Sequence, residues 1–568
     1  MTRKPDLAWI AAALFPAVAL ALYWSTLRHP LVFDDLSLVQ HALQRGTAAA
    51  GSGLGTRALS EATFGWIQGL FGANLAWQRL ANVLLHGAVG AALFGFLARL
   101  FGHVLGEPRA RWTAFLCALT FLLHPVAVYA VAYLAQRSIL MATLFSVLSL
   151  WCVLEGLLRG SARWHIAAAA AYLLAVFSKE HAVMLPAVAG AMAVLLRGAS
   201  LETLRRFRLA GLLFAAAAAV IIYQARSLIG AAYEPFVSDV AGIRPDQAYP
   251  LSVLNQAYLF FRYLLTWLLP CPCWMSVDLR VAFPERLLAW PQSAGFIAYL
   301  AYPLASLVLL LRGGRLGLLG FGLIYPWLLA LTEFAAVRVQ EPFVLYRSYL
   351  WMSGLPIILA ALTAGLSPRA RHSLLAAACL ALIAPAWNRI DTFSDPLKLW
   401  DDAVGKNTDL RAAYVERAYI NRGEQYRGAG RADAALADFE RAIALNPRLP
   451  GGYVGRATLR LSMGQVPQAL PDLDRAILLD PRHASAHAKR CIARAALGQP
   501  AAQALADCER AIALDPSDPE SWTFAGIVHR SLGQVEAAAA SFRRALQLAP
   551  NDPVIRENAR RLLLEQKR

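Results

Sequence analysis

The chain has 568 residues, 58% of them hydrophobic, and a formal net charge of +17. A mean hydropathy of +0.45 excludes a soluble globular protein of this length, since a run of about 20 apolar residues already spans a bilayer and the chain holds many such runs. The positive charge does not argue for nucleic acid, because the arginines punctuate apolar segments instead of clustering on one soluble face, which is the pattern of cytoplasmic loops in a membrane protein.

Taken in chain order, candidate spans fall at 7–24, 80–99, 112–131, 139–158, 165–178, 182–197, 209–228, 294–311, 316–332, 349–366 and 373–389. The segment 254–270 is apolar but ambiguous. Met-Thr-Arg-Lys leads straight into the first apolar run with no small-residue cleavage site, so that run is expected to be a retained span, not a signal peptide. Arg3 and Lys4 place the N-terminus inside. Alternation then puts Arg109 and Arg111, Arg159 and Arg163, and Arg205, Arg206 and Arg208 inside. Arg312 and Arg315, and then Arg369 and Arg371, also fall inside if 254–270 makes no net crossing. An odd number of spans, near eleven, is expected. The C-terminal part then lies outside, in the periplasm if this is a bacterial inner-membrane protein.

Near residue 410 the chain changes character. Residues 411–568 carry a 34-residue beat, marked by Gly430, Gly464, Gly498 and Gly533 and by Pro447, Pro481, Pro516 and Pro550. Small residues such as Ala435, Ala442, Ala469 and Ala476 recur where paired helices would touch. This is the pattern of a tetratricopeptide-repeat solenoid of about four repeats. The expected fold is all-α: a polytopic membrane domain over 1–390, a linker over 391–410 and a repeat domain over 411–568. Arg422, Arg456 and Arg490 recur at equivalent positions and read more readily as solvated arginines than as the lining of an acidic-peptide groove. Cys117, Cys152 and Cys379 sit inside spans as packing residues. Cys271-Pro272-Cys273 is too tight for a zinc knuckle. Cys491 and Cys508 lie on the two helices of one repeat and could pair in an oxidising compartment.

The same alternation gathers polar residues on the outer face. These are the loop 29–79, Gln136-Arg137, Lys179-Glu180, the loop 229–292 and the stretch Glu333–Arg347. Ionisable groups at a membrane boundary are functional candidates. In Phe33-Asp34-Asp35, one carboxylate could act as a general base toward a hydroxyl, or cap a following helix. Asn82 and His86 are four apart, on one face of a helix. His124-Pro125, Arg137-Ser138, Lys179-Glu180-His181 and Tyr346-Arg347-Ser348-Tyr349 follow. Arg262 and Asp278 flank the ambiguous segment. Singly, each reads as an interfacial anchor. Together they supply cations suited to a phosphate leaving group and carboxylates suited to a base.

In this order the strings resemble the transmembrane-and-tetratricopeptide-repeat (TMTC-type) O-mannosyltransferases and their bacterial relatives, of the GT-C fold. Phe33-Asp34-Asp35 resembles the family's F-D-D, and Asn82-Val83-Leu84-Leu85-His86 its N-x-L-L-H. His124-Pro125 with Gln136-Arg137-Ser138 resembles its H-P and (G/Q)-R-S block, and Lys179-Glu180 its K-E pair. Tyr346-Arg347-Ser348-Tyr349-Leu350 resembles its late H-R-x-Y-L stretch. Asp395-Pro396-Leu397-Lys398-Leu399-Trp400 resembles the D-P-x-x-L-W that precedes the repeats. The chain departs from the family at Tyr129, where Glu is common, at Arg79, where His is common, and at Leu345-Tyr346, where Glu-His is common. These departures bear on the sugar and the acceptor more than on the fold.

The resemblance implies an enzyme that moves a sugar from a polyprenyl phosphate to a hydroxyl of an exported protein, with the repeats presenting the acceptor. Asp34 or Asp35 would take the hydroxyl proton. Arg137, Lys179 and Arg347, with Arg262 next in line, would hold the donor phosphate. Asn82, His86, His124, Glu180 and Tyr349 would support them. Inversion at the anomeric carbon is expected, with no metal and no cofactor beyond the lipid-linked donor. A lipid or polysaccharide acceptor, a non-enzymatic envelope scaffold and a transporter are the alternatives. Transport fits least, since the polar residues collect at one face instead of inside the spans.

Overall fold

The computed structural model describes residues 7–33, 35, 57–106, 110–226 and 243–565. Helices supply nearly all the regular secondary structure of these residues, in keeping with the all-α expectation. The chain divides into two compact units, Met1–Lys406 and Asn407–Arg568.

In the first unit, seven helices among the described residues are long and apolar enough to cross a membrane. They are Leu75–Val104, Leu134–Arg159, Glu180–Arg197, Gln292–Leu311, Gly314–Ala335, Leu345–Thr363 and Pro368–Thr392. The pair Ala110–Leu122 and Pro125–Val131 passes the same test together but is bent by 50°, and Ala13–Arg28, Ala162–Ser178 and Phe207–Tyr223 are shorter apolar helices. The apolar runs read from the sequence thus fall on helices, but among the described residues seven of these, or eight with the bent pair, have membrane-spanning length, against about eleven spans expected. The ambiguous run 254–270 belongs to the longer helix Pro245–Leu268, which buries Asn255 and Gln256.

Helix Leu75–Val104 packs against Leu7–Tyr23, Ala110–Leu122 and Arg137–Arg159. Between apolar helices in lipid there is no hydrophobic drive, so close approach through small residues carries the packing. A Cβ on Gly87 would stand 2.5 Å from Pro16 Cα, so the first helix can cross only because that position is glycine.

The stretch expected to be a linker, 391–410, has regular structure over most of its length. Helix Pro368–Thr392 runs into it, and helix Pro396–Lys406 follows within the first unit. Trp400 and Leu399 are buried there, and Arg389 pairs with Asp402 at 2.9 Å. The unit boundary accordingly falls at Lys406–Asn407, because Trp400 is a core residue and not part of a tether.

The second unit is a run of helix pairs. Gly430, Gly464, Gly498 and Gly533 all have φ between +65° and +73°. Each ends the first helix of its pair in the left-handed conformation that glycine adopts without a Cβ penalty. This is the physical origin of the glycine beat. Inside each pair a small residue faces a large one. Gly423 faces Phe439 and Gly526 faces Phe542, with no room for a Cβ at either glycine. Ala457 and Leu473 share one core cluster. In the third pair these two positions are Cys491 and Cys508, and they are joined as a disulfide. Cys271 and Cys273 are also joined.

The recurring arginines are not solvated, contrary to the sequence expectation. Arg422 grips Asp438, Arg456 grips Asp472 and Arg490 grips Asp507, each through two parallel hydrogen bonds. All three carboxylates are buried. Arg490 also reaches back to Asp474 of the preceding repeat at 2.9 Å. The last repeat has Ala525 and Ser541 at the corresponding positions, so cation and anion are lost together.

The disulfide replaces the small–large packing pair of the other repeats. Closing a loop of 17 residues is worth about 3 kcal/mol. Reduction of the full-length protein should therefore make the third repeat protease-sensitive. Cys491→Gly with Cys508→Phe, which restores the Gly–Phe pair, should recover resistance that no longer depends on reductant. Proteolysis mapped by mass spectrometry checks both outcomes.

Candidate functional site

The short turn Tyr133–Arg137 organises the polar residues of the first unit. The backbone N–H of Ala135 donates to Asp35 Oδ1 at 2.7 Å, and that of Leu134 to Oδ2 at 3.4 Å. Arg79 stands 3.9 Å from the same carboxylate and also donates to the carbonyls of Pro30 and Ala132. Asp35 is fully buried. Burial pushes its pKa up to about 7, against the pull of Arg79 and the backbone donors. Phe33, two residues earlier, has φ +52°, a conformation that costs a non-glycine residue about 1–2 kcal/mol. Its ring is held between Tyr133 and Trp400. Asp34 lies outside the described residues.

The expected cations do not form one clamp. Arg137 is fully buried, and every hydrogen bond described for it goes to a neutral oxygen. It donates to Asn82 Oδ1 at 2.9 Å, to the Gln78 carbonyl and Oε1 at 2.8 Å each and to Thr63 Oγ1 at 3.2 Å, and it lies over the ring of Phe64. It ties helix Ala58–Phe71 to helix Leu75–Val104, and a phosphate could reach it only by dismantling that tie. Arg137, expected to bind phosphate, thus joins two helices and is not among the residues lining the pocket described below. Arg262 is set over the ring of Phe343.

Lys179 and Arg347 do come together. Lys179 is buried at the end of helix Ala162–Ser178. Its Nζ donates to Gln136 Oε1 at 3.1 Å and faces the ring of Tyr346 at 4.9 Å. Burial, reinforced by Arg57, lowers its pKa to about 7. Arg347, the next residue after Tyr346, contacts the carboxylates of Glu341 at 3.3 Å and Glu333 at 3.6 Å. Glu333 is buried and also receives Arg338 at 3.0 Å and His181 at 3.1 Å. Glu180 is half-exposed and takes both nitrogens of an Arg57 fork.

The remaining expected residues are interhelical ties. His86 joins Tyr349 Oη at 2.6 Å and the Leu122 carbonyl at 2.9 Å. Asn82 donates to the carbonyls of Val131 and Leu134. His124 stacks on Trp267 and hydrogen-bonds its carbonyl. Asn82 and His86 do share a helix face, but that face looks into the bundle.

A small pocket opens beside these groups, lined by Phe33, Tyr133, Val277, Asp278, Leu279, Glu341, Phe343, Val344 and Tyr346. Phe33, two residues before Asp35, forms one wall. Tyr346 and Glu341, the immediate neighbours of Lys179 and Arg347, form another. Aromatic rings beside carboxylates suit a polyhydroxylated ring, which offers apolar faces to stack and hydroxyls to donate. Sequence reasoning missed Glu333, Glu341, Tyr133 and Arg338. Only their place in an outer-face stretch or turn could have pointed to them.

Fold and site thus define a helical unit with several membrane-length helices and a polar pocket, joined to a helical-repeat unit. Family comparison supports the second part directly: tetratricopeptide-repeat models match residues 416–449, 454–519 and 493–563. The chain is also 31% identical over 163 residues to protein O-mannosyl-transferase TMTC2 of Mus musculus, covering 26% of this chain and 19% of that protein. The chain therefore spans about a fifth of that relative's length, a match about as long as the repeat unit. Among solved structures it resembles a thermophilic tetratricopeptide-repeat protein of Thermus thermophilus, at 26% identity and a TM-score of 0.26, over 33% of this chain and 96% of that one. It also resembles a tetratricopeptide-repeat protein with an unusual peptide-binding site, at 20% identity and a TM-score of 0.24, over 33% and 89%.

Asp35 yields a signed test. Its folded pKa lies above the unfolded value near 3.8, so the native state holds a proton that the unfolded chain releases. Stability should therefore fall as pH rises from about 4 to 7. Asp35→Asn should remove that component of the slope while the protein remains folded, as read by thermal melting in detergent across that range.

Proposed function

We propose that this chain is a membrane glycosyltransferase that moves a sugar from a polyprenyl phosphate to a hydroxyl of an exported protein. One observation carries the reading: one pocket has Phe33, two residues before Asp35, on one wall and Tyr346 and Glu341, the neighbours of Lys179 and Arg347, on another. The aromatic and carboxylate lining suits a sugar, for which the pocket would have to widen, while the polyprenyl tail would remain in the bilayer.

Both oxygens of Asp35 are engaged by backbone amides, so Asp35 anchors the loop and Asp34 is the better candidate for the base. The base takes the acceptor's hydroxyl proton. The oxygen attacks the anomeric carbon, the carbon–oxygen bond to phosphate breaks and the polyprenyl phosphate departs with the electron pair. Attack opposite the leaving group inverts the anomeric carbon. Lys179 and Arg347 would neutralise the charge that builds on the departing phosphate. The repeats would present the acceptor polypeptide. The Cys491–Cys508 disulfide favours an oxidising compartment for them, such as the periplasm.

The test is transfer by the purified full-length protein from a polyprenyl-phosphate sugar to exported-protein acceptors, followed by mass spectrometry. Asp34→Asn should slow transfer by about 10²–10⁴-fold, the usual general-base contribution. The Lys179 ammonium loses its proton as pH rises through about 7, so activity should decline on the alkaline side. Lys179→Arg should move that decline to higher pH. Full transfer activity in Asp34→Asn and Asp35→Asn alike would refute a carboxylate base in this loop.

A further inference from the structure

Arg347 presents a difficulty for any anion in the cavity, because two carboxylates already surround its guanidinium. The two differ in kind. Glu333 is buried, with its side chain 3% exposed, and is also held by Arg338 and His181. Glu341 has a side chain 27% exposed and lines the cavity. Arg347 is not among the lining residues. The carboxylate of Glu341 therefore stands on the cavity side of the guanidinium, with its Oε2 3.3 Å from Nη2.

We propose that Glu341 is an internal stand-in for a phosphate: the cavity contains an anion subsite at Arg347 that Glu341 occupies until a phosphate ester displaces it. This rests on the donor reading above and deepens it. The exchange balances charge. Glu333 keeps Arg338 when Arg347 turns to the ligand. Glu341, already 27% exposed, swings toward solvent, where water replaces the lost pairing, and a phosphate takes its place on the guanidinium. The pair is a single carboxylate contact with its acid partly open to water, whereas a bidentate Arg–phosphate contact is stronger. In the anion-free state Arg347 keeps two carboxylates beside it, where an uncompensated cation near the membrane boundary would be costly. The arrangement also selects for ligands: a neutral sugar alone cannot displace a carboxylate from an arginine, and a phosphate ester can. No bond is made or broken in this step.

The test is binding of a polyprenyl phosphate in detergent micelles, and separately of inorganic phosphate, to full-length wild type, Glu341→Gln, Glu341→Asp and Arg347→Ala. Glu341→Gln removes the competing charge and should bind polyprenyl phosphate about tenfold more tightly, the order expected when one charge-assisted hydrogen bond need not be broken. Glu341→Asp should stay near wild type. Arg347→Ala should lose binding and make the Glu341 substitution silent in the double variant. A parallel gain for inorganic phosphate marks a subsite that reads the phosphate group itself; a gain confined to the lipid marks one that also needs the chain. Unchanged or weaker lipid binding by Glu341→Gln overturns the proposal. If binding tightens but no variant transfers sugar, the subsite stands and the glycosyltransferase reading falls. If wild type transfers sugar and Glu341→Gln leaves donor KM unchanged, the reading stands and the stand-in falls.

Discussion

Five consecutive residues, Tyr133 to Arg137, hold the polar groups of the first unit together. Tyr133 supplies a cavity wall, the amides of Leu134 and Ala135 bind Asp35, the Gln136 side chain accepts from Lys179, and Arg137 ties two helices through Asn82 and Gln78. The turn can do this because His124-Pro125 breaks the apolar helix and bends the chain by 50° before the next span begins. Bending a chain at the end of a span exposes backbone donors, and in this protein they are answered by a carboxylate. Removing the turn would separate the acid loop from the cations at once.

The second governing fact is the cost of burying charge. Uncompensated ions are strongly disfavoured where water is scarce. The protein meets this cost by sharing partners: Glu333 serves Arg338, Arg347 and His181, and Asp35 serves Arg79 and backbone amides. The repeat unit uses the same device in Asp438, Asp472 and Asp507, each gripped by an arginine fork. Such pairs are brittle. Removing one partner leaves the other charged and buried, whereas removing both is mild, as the Ala525 and Ser541 positions of the last repeat illustrate.

Periodic features were legible in the sequence. Apolar runs mark every membrane-length helix, and the 34-residue beat marks the turns that need a left-handed glycine. The helix Pro396–Lys406 was not, since its buried Trp400 has no periodic neighbours to announce it and the stretch reads as polar connection. The site was legible only in part. Phe33, Lys179 and Arg347 are gathered as their outer-face positions suggest. Arg137 looked like a surface cation because its neutral partners Asn82, Gln78 and Thr63 carry no charge signal. His181 meets Glu333 across 152 residues of sequence, a pairing that no local spacing encodes. The Arg–Asp forks of the repeats were within reach, because the aspartates keep the same beat as the arginines.

The most direct measurement is a cryo-EM structure of the full-length protein with a bound polyprenyl-phosphate sugar. The expected density places the sugar against Tyr133 and Tyr346, its phosphate between Lys179 and Arg347, and the Asp34 carboxylate on the opposite side of the anomeric carbon. Donor density elsewhere on the bundle, with this cavity left unchanged, would contradict the assignment of the cavity as the site of transfer.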